Sequence, residues 1–205
     1  KLTSIGEHAF SSAQISTINI PDKLKKIAPN AFEQCDYLEN IQIDKDNKYF
    51  EFDNGMLIQK ASNDKNVILV LKKYYENKSE MSIPDGVTIF NASISNLAIS
   101  KLIIPSSVKS LSNFGNDFAS SISDVTITNN ENFTVYEKCI YTHDLSKLIF
   151  CFSKETNILL NNKKLKEIGG FAFWGATKAT YVKLPDSVTT LGYRIAKNPG
   201  DSIKT

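Results

Sequence analysis

Two histidines, three cysteines and one short acidic run are the side chains here whose chemistry could reach beyond packing. A catalytic histidine must sit within hydrogen-bond reach of a nucleophile or substrate and be oriented by a further group. His8 falls in a slot that other stretches of the sequence fill with Asn30, Phe114 and Phe171, so nothing in the pattern demands histidine there. His143 lies in Thr142-His143-Asp144-Leu145-Ser146, which reads as a turn between strands. The sequence contains no G-x-S-x-G, no phosphate-loop motif and no H-E-x-x-H. This points to a chain that is not an enzyme, with no cofactor implied. Asp44-Lys45-Asp46-Asn47 starts like a calcium loop, but Tyr49 stands where glycine is needed and Gly55 where a bidentate glutamate belongs. No metal site is expected. Cys35 occupies a small-residue position and reads as a buried packing group. Cys139 and Cys151 fall on neighbouring predicted strands. A disulfide between them requires Cβ vectors that face each other, and two free thiols are the alternative. A related segment earlier in the chain, with Gly55 and Val70 at those places, needs no bridge. Sequons at Asn77, Asn91 and Asn132 matter only in a eukaryote that secretes the protein.

The elements that position these residues come from a repeat. An apolar residue precedes proline at Ile20-Pro21, Ile83-Pro84, Ile104-Pro105 and Leu184-Pro185. Three residues after each proline stands Leu24, Val87, Val108 or Val188, and three further on Ile27, Phe90, Leu111 or Leu191. Leu165 and Ile168 fit the same frame with Asn162 in place of proline, and Leu2 and Ile5 open the chain likewise. Ala-Phe follows at Ala9-Phe10, Ala31-Phe32 and Ala172-Phe173. A short alternation closes each unit, as in Ile18-x-Ile20, Ile41-x-Ile43, Leu102-x-Ile104, Val125-x-Ile127 and Val182-x-Leu184. Ile20 and Ile43 stand 23 residues apart, within the range of leucine-rich repeats. Alternation makes a short strand, proline ends it, and the Ala-Phe step supplies one small and one large packing residue. One such unit cannot bury its own face, so neighbouring coils must stack.

Two stretches break the period and resemble each other. Phe50 to Ile58 aligns with Phe133 to Tyr141, and each is followed by an apolar run, Val67–Leu71 and Leu148–Phe152. Asn54-Gly55 is a hairpin signal. These are read as β-rich inserts, at about 46–80 and 129–157, within a single solenoid spanning 1–205.

On each repeat strand the residues alternating with the apolar ones must face outward. Thr17, Asn19, Asn40, Gln42, Lys101, Ile103, Asp124, Thr126, Tyr181 and Lys183 would form one polar strip, stacked at ~4.8 Å, and are the candidate ligand-binding residues. Tyr181 is the most anchor-like of them. Tyr74 and Tyr75 of the first insert form a second candidate patch. Net charge is +2, and the lysines are scattered around a single arginine, Arg194, so nucleic acid is not the expected partner. No apolar run reaches the ~20 residues of a membrane span.

The Ile-Pro-x-x-Val/Leu-x-x-Ile pattern followed by Ala-Phe and, at Cys35, by cysteine resembles the BspA-like leucine-rich repeats of bacterial and protist surface proteins. The resemblance covers nearly the whole chain. Departures are Ala119 and Ala176 in the cysteine slots, Gly115-Asn116 in place of Ala-Phe, and Ile195-Ala196 in the final unit. It implies a mainly β, right-handed solenoid of short parallel strands with few helical turns, secreted or displayed at the cell surface. It further implies a role in adhesion to host or microbial proteins. A structural spacer and a glycan-binding module are the alternatives. The chain stops after Ile203-Lys204, about where another strand should run, and weak self-association through end coils is expected.

Overall fold

The structure, a computed structural model, describes residues 1–94, 97–112, 117–196 and 203–204, so Phe114, Gly115 and Asn116 lie outside it. The first coil contributes β1 (Ser4–Ile5), and the second β2 (Thr17–Ile20) and β3 (Lys26–Ile27). The third opens on β4 (Asn40–Ile43), runs through β5 (Phe50–Asp53), β6 (Met56–Lys60) and β7 (Lys65–Val70), and closes with the helical turn α1 (Lys72–Tyr75). Two simple coils follow, with β8 (Glu80–Ser82), β9 (Ile89–Ile94), β10 (Lys101–Ile104), β11 (Ser110–Leu111) and a second helical turn, α2 (Asp117–Ser121). The next coil repeats the plan of the third, with β12 (Asp124–Ile127), β13 (Phe133–Tyr136), β14 (Cys139–Thr142) and β15 (Lys147–Cys151). The chain continues through β16 (Asn157–Leu159), β17 (Glu167–Ile168), β18 (Tyr181–Lys183), β19 (Thr190–Leu191) and β20 (Ile203–Lys204).

Each simple coil therefore carries two strands, not the one that alternation alone predicts. The front strands pair in parallel as β2-β4, β8-β10-β12 and β16-β18-β20. The second strands form another column, whose members of two residues are too short to show alternation in sequence. Proline makes the corner between the columns. The amide three residues on closes a tight turn to its carbonyl, as in Leu24 to Pro21 (3.1 Å), Val87 to Pro84 (3.2 Å) and Val188 to Pro185 (3.1 Å). Asn162 substitutes as expected, accepting from Leu165 at 3.1 Å.

The inserts stack within the solenoid, and they do more than lengthen a coil. Each is a three-stranded antiparallel sheet whose last strand, β7 or β15, takes the second-column position and pairs in parallel with the following coil. Both faces of these sheets are buried. Leu57, Leu69 and Phe50 pack into a cluster with Ile20, Leu24 and Phe32, while Met56, Ile58 and Val70 face a cluster with Met81, Phe90 and Leu102. Phe133, Ile140 and Phe150 join that middle cluster from the other side. Cys139, Tyr141, Leu148 and Cys151 face a third cluster with Leu165, Phe173 and Val182. The core is divided into three compartments by two sheets that act as partitions.

A buried asparagine opens each insert. Asn47 donates Nδ2 to the carbonyls of Pro21 and Leu24 and accepts at Oδ1 from the amides of Tyr49 and Phe50. Asn130 does the same with Pro105 and Val108, and with Asn132 and Phe133. One side chain thus satisfies the proline corner of the preceding coil and the start of its own sheet, which removes the cost of burying unpaired backbone groups. This accounts for Asn47 at the end of the calcium-like run. Asp44 of that run caps locally, accepting the amide of Asp46 at 2.9 Å.

Candidate functional site

Alternation decides which side chains the front strands offer. In β2, β10 and β12 the apolar residues Ile18, Ile20, Leu102, Ile104 and Val125 are buried, and their neighbours must point outward. All ten residues expected on the strip do so: Thr17, Asn19, Asn40, Gln42, Asp124, Thr126 and Lys183 are exposed, and Lys101, Ile103 and Tyr181 are half-buried.

The strip itself is a correction. It is not one ladder but three, because the inserts leave β4 unpaired with β8 and β12 unpaired with β16. In the first ladder Thr17 faces Asn40 and Asn19 faces Gln42, an uncharged amide and hydroxyl surface. In the second, Glu80, Lys101 and Asp124 form one row, and Ser82, Ile103 and Thr126 the next. Lys101 Nζ lies 2.7 Å from Glu80 Oε2. That contact, helped by Asp124, holds the lysine above its ordinary pKa. In the third ladder Asn157 faces Tyr181 and Leu159 faces Lys183. Leu159 is 51% exposed, an apolar side chain directly opposite the Lys183 cation and diagonal to Tyr181. Sequence reasoning missed Glu80, Ser82, Asn157 and Leu159. Their signal was the same alternation, around Met81-x-Ile83 and Ile158-x-Leu160.

The second expected patch also needs correction. Tyr75 is buried, with its hydroxyl donating to the carbonyl of Asn54 at 2.6 Å, and burial pushes the phenol well above its ordinary pKa. Only Tyr74 of the pair is exposed, under the ammonium of Lys78 at 3.3 Å from the ring centroid. An aromatic group that sequence reasoning did not assemble lies elsewhere: Phe171 meets Trp174 and Tyr193 edge to face at 4.9 and 5.9 Å. Nearby, a cleft of about 540 Å³ is lined by Glu7, Asn91, Lys147, Gly170 and Phe171, on the second column.

Of the residues singled out for chemistry, the two histidines and Cys35 are not brought together, whereas Cys139 and Cys151 stand opposite each other on β14 and β15. His8 is exposed, with Nδ1 3.1 Å from Glu33 and Nε2 3.0 Å from the Asn30 amide, a local inter-coil contact. His143 is exposed in the β14–β15 turn. Cys35 is buried with Sγ 2.8 Å from the carbonyl of Phe10, and burial raises its pKa. Among the described residues no three His, Cys, Asp or Glu side chains are placed to hold a metal ion, and no helix is long and apolar enough to cross a membrane.

The model of the BspA type leucine-rich repeat region matches residues 1–69 and 145–199 in six copies. This chain belongs to that family. In this BspA type chain the same coil plan runs through the unmatched middle, where Pro84 and Pro105 make the same corners and β8, β10 and β12 the same ladder. Among solved structures, a leucine rich cell surface protein from Faecalibacterium prausnitzii A2-165 superposes with a TM-score of 0.60 at 22% identity, over 93% of this chain and 51% of that one. A leucine-rich repeat protein from Eubacterium ventriosum ATCC 27560 gives 0.56 at 18% identity, over 93% and 47%. These likenesses are of fold, and the chain spans about half the length of both. Among curated proteins none matches.

Proposed function

We propose that this chain is a non-catalytic recognition scaffold of a secreted or cell-surface protein, one solenoid with two inserts, that binds a host or microbial protein in adhesion. The observation that carries this reading is the third front ladder. Leu159, Tyr181 and Lys183 combine an exposed apolar side chain, a large amphipathic one and a cation on two paired strands, the composition of an interface anchor. The likeness to a cell-surface protein of the same repeat type supports the location.

The test compares the wild-type chain with two folded variants, one carrying Leu159→Asp, Tyr181→Ala and Lys183→Glu, the other Asn40→Ala and Gln42→Ala. Each is offered to cultured cells and to immobilised serum proteins. Loss of binding in the first variant alone supports the third ladder as the anchor. Loss in the second alone moves the anchor to the first ladder. Equal binding in all three takes the anchor off both ladders, and absent binding in all three sinks the recognition reading. The partitioned core favours a second reading, a stiff spacer that holds another part of a larger surface protein, and absent binding would leave that one standing. Glycan recognition would instead use Phe171, Trp174 and Tyr193, away from the front ladders.

A further inference from the structure

Cys139 and Cys151 are cross-strand partners in the antiparallel pair β14–β15. The backbone hydrogen bonds define the kind of pair. The amide of Phe152 donates to the carbonyl of Lys138 at 2.9 Å, so the adjacent pair is the hydrogen-bonded one. The amide of Cys151 turns the other way, to Ala172 of the following coil. Cys139 and Cys151 are therefore a non-hydrogen-bonded pair, the type whose Cα atoms approach to about 4.5 Å and whose side chains lie closest. That spacing falls inside the window a disulfide requires. Both side chains leave the sheet on the same face, into the compartment with Leu148 and Leu165, and both are fully buried.

From this geometry we propose that Cys139 and Cys151 form a redox-responsive disulfide that locks the second partition sheet. The bond forms by exchange with an external disulfide while the β14–β15 hairpin is closed and the following coils have not yet covered it. One thiolate attacks a sulfur of the external disulfide and releases the first external thiolate. The other then attacks the resulting mixed disulfide and releases the second, so two thiol hydrogens end on two external thiols. Either cysteine can attack first in that uncovered state. In the folded chain the hydrogen bond from Cys139, with the Ser153 amide and the Lys154 ammonium, holds the Cys151 thiol below the ordinary range. Lys154 is itself fixed by the carbonyls of Ser120 and Gly175 at 2.9 and 2.8 Å. The corresponding positions of the first insert are Met56 opposite Val70, so the device belongs to the second insert. This corrects the alignment of Gly55 with Cys139, since Cys139 and Met56 each follow their two-residue turn directly. The inference does not depend on the recognition reading, because it concerns the isolated chain.

The experiment refolds the chain in glutathione buffers from reducing to oxidising. It then denatures and alkylates the chain, maps the bridged peptides by mass spectrometry, and follows thermal unfolding. Oxidation should remove two of three alkylatable thiols, leave Cys35 alkylated, and raise the midpoint by about 5–10 °C. Dithiothreitol should reverse both changes. Cys139→Ala and Cys151→Ala should each abolish the rise, and Cys35→Ala should leave it intact. The wild-type titration decides the matter even if an alanine variant folds poorly. Three alkylatable thiols at every glutathione ratio in a folded chain would overturn the proposal, as would a bridge that includes Cys35.

Discussion

The first insert folds a helical turn back over its own hairpin, whereas the second leaves β15 directly for the next coil. The consequence is visible at the hairpin turns. In the first, Asn54 (φ 46°) and Gly55 (φ 74°) take the left-handed conformation, and the Tyr74 ring lies where a Cβ on residue 55 would stand. In the second, Glu137 (φ 49°) and Lys138 (φ 58°) take the same conformation with full side chains, at a cost of about 1–2 kcal/mol for each. Two sheets of one plan thus reach the same turn with opposite residue choices. Glycine is required at Gly55 because a neighbour occupies the space, while the turn alone tolerates lysine. What packs on a turn decides its sequence as firmly as its dihedral angles do.

If the two sheets are equivalent partitions, equivalent truncations should cost the same. Leu57→Ala and Ile140→Ala each empty a fully buried site facing the preceding compartment. Each should lower stability by about 2–5 kcal/mol in urea unfolding. A near-neutral result for one of them would show that its sheet does not divide the core. The buried asparagines come next. Asn47→Ala and Asn130→Ala each remove the side-chain acceptor of two amides and the side-chain donor to the carbonyls of a proline corner, whose proline carbonyl keeps its turn hydrogen bond. A loss of about 3 kcal/mol is expected for either. Unequal losses would mean that the two proline corners rely on the insert to different degrees.

The repeat frame was legible because burial imposes it. Leu24, Ile27, Leu102 and Leu165 each recur at fixed spacing and are fully buried. The outward residues were legible by the same alternation, and all ten lie where it puts them. The division of the front face into three ladders was not, since it depends on where β7 and β15 stack, and pairing partners leave no mark in local pattern. Tyr75 was misread as exposed because its burial follows from a contact with Asn54, across the insert. Asn47 and Asn130 were invisible as structural residues because their work lies in side-chain hydrogen bonds to backbone groups, those to the proline corners reaching more than twenty positions back in sequence.

Exchanging the turn residues sharpens the comparison. Gly55→Ala should cost about 2–3 kcal/mol, combining a strained φ with the clash against Tyr74. Lys138→Gly should stabilise by about 1 kcal/mol, since it relieves the same conformation. Urea midpoints of both variants check the pair. A destabilising Lys138→Gly would show that the lysine side chain contributes more than its backbone strain costs.

The smallest expected effect separates the second turn of each sheet. In the first insert Asp64 accepts the hydroxyl of Thr88, and that hydroxyl also accepts the amide of Lys65, so the turn is tied to the next coil. In the second, Asp144 accepts the hydroxyls of Thr142 and Ser146 and the amide of Ser146, all within the turn. Those bonds, the Thr142 hydroxyl foremost, push the Asp144 carboxyl down from 3.8 to about 2. A depressed carboxylate contributes stability that is fully present above its unfolded value and is lost as pH falls through its folded value. Local order at Ser146 and Lys147 should therefore hold above pH ~4 and decline towards pH ~2. Because Asp144 is exposed, the effect should be confined to the turn and leave the unfolding midpoint nearly unchanged. Amide exchange of Ser146, corrected for intrinsic rate, is the readout. Asp144→Asn should flatten its pH dependence across this window, and an Asn variant that still loses protection there would place the titrating group elsewhere.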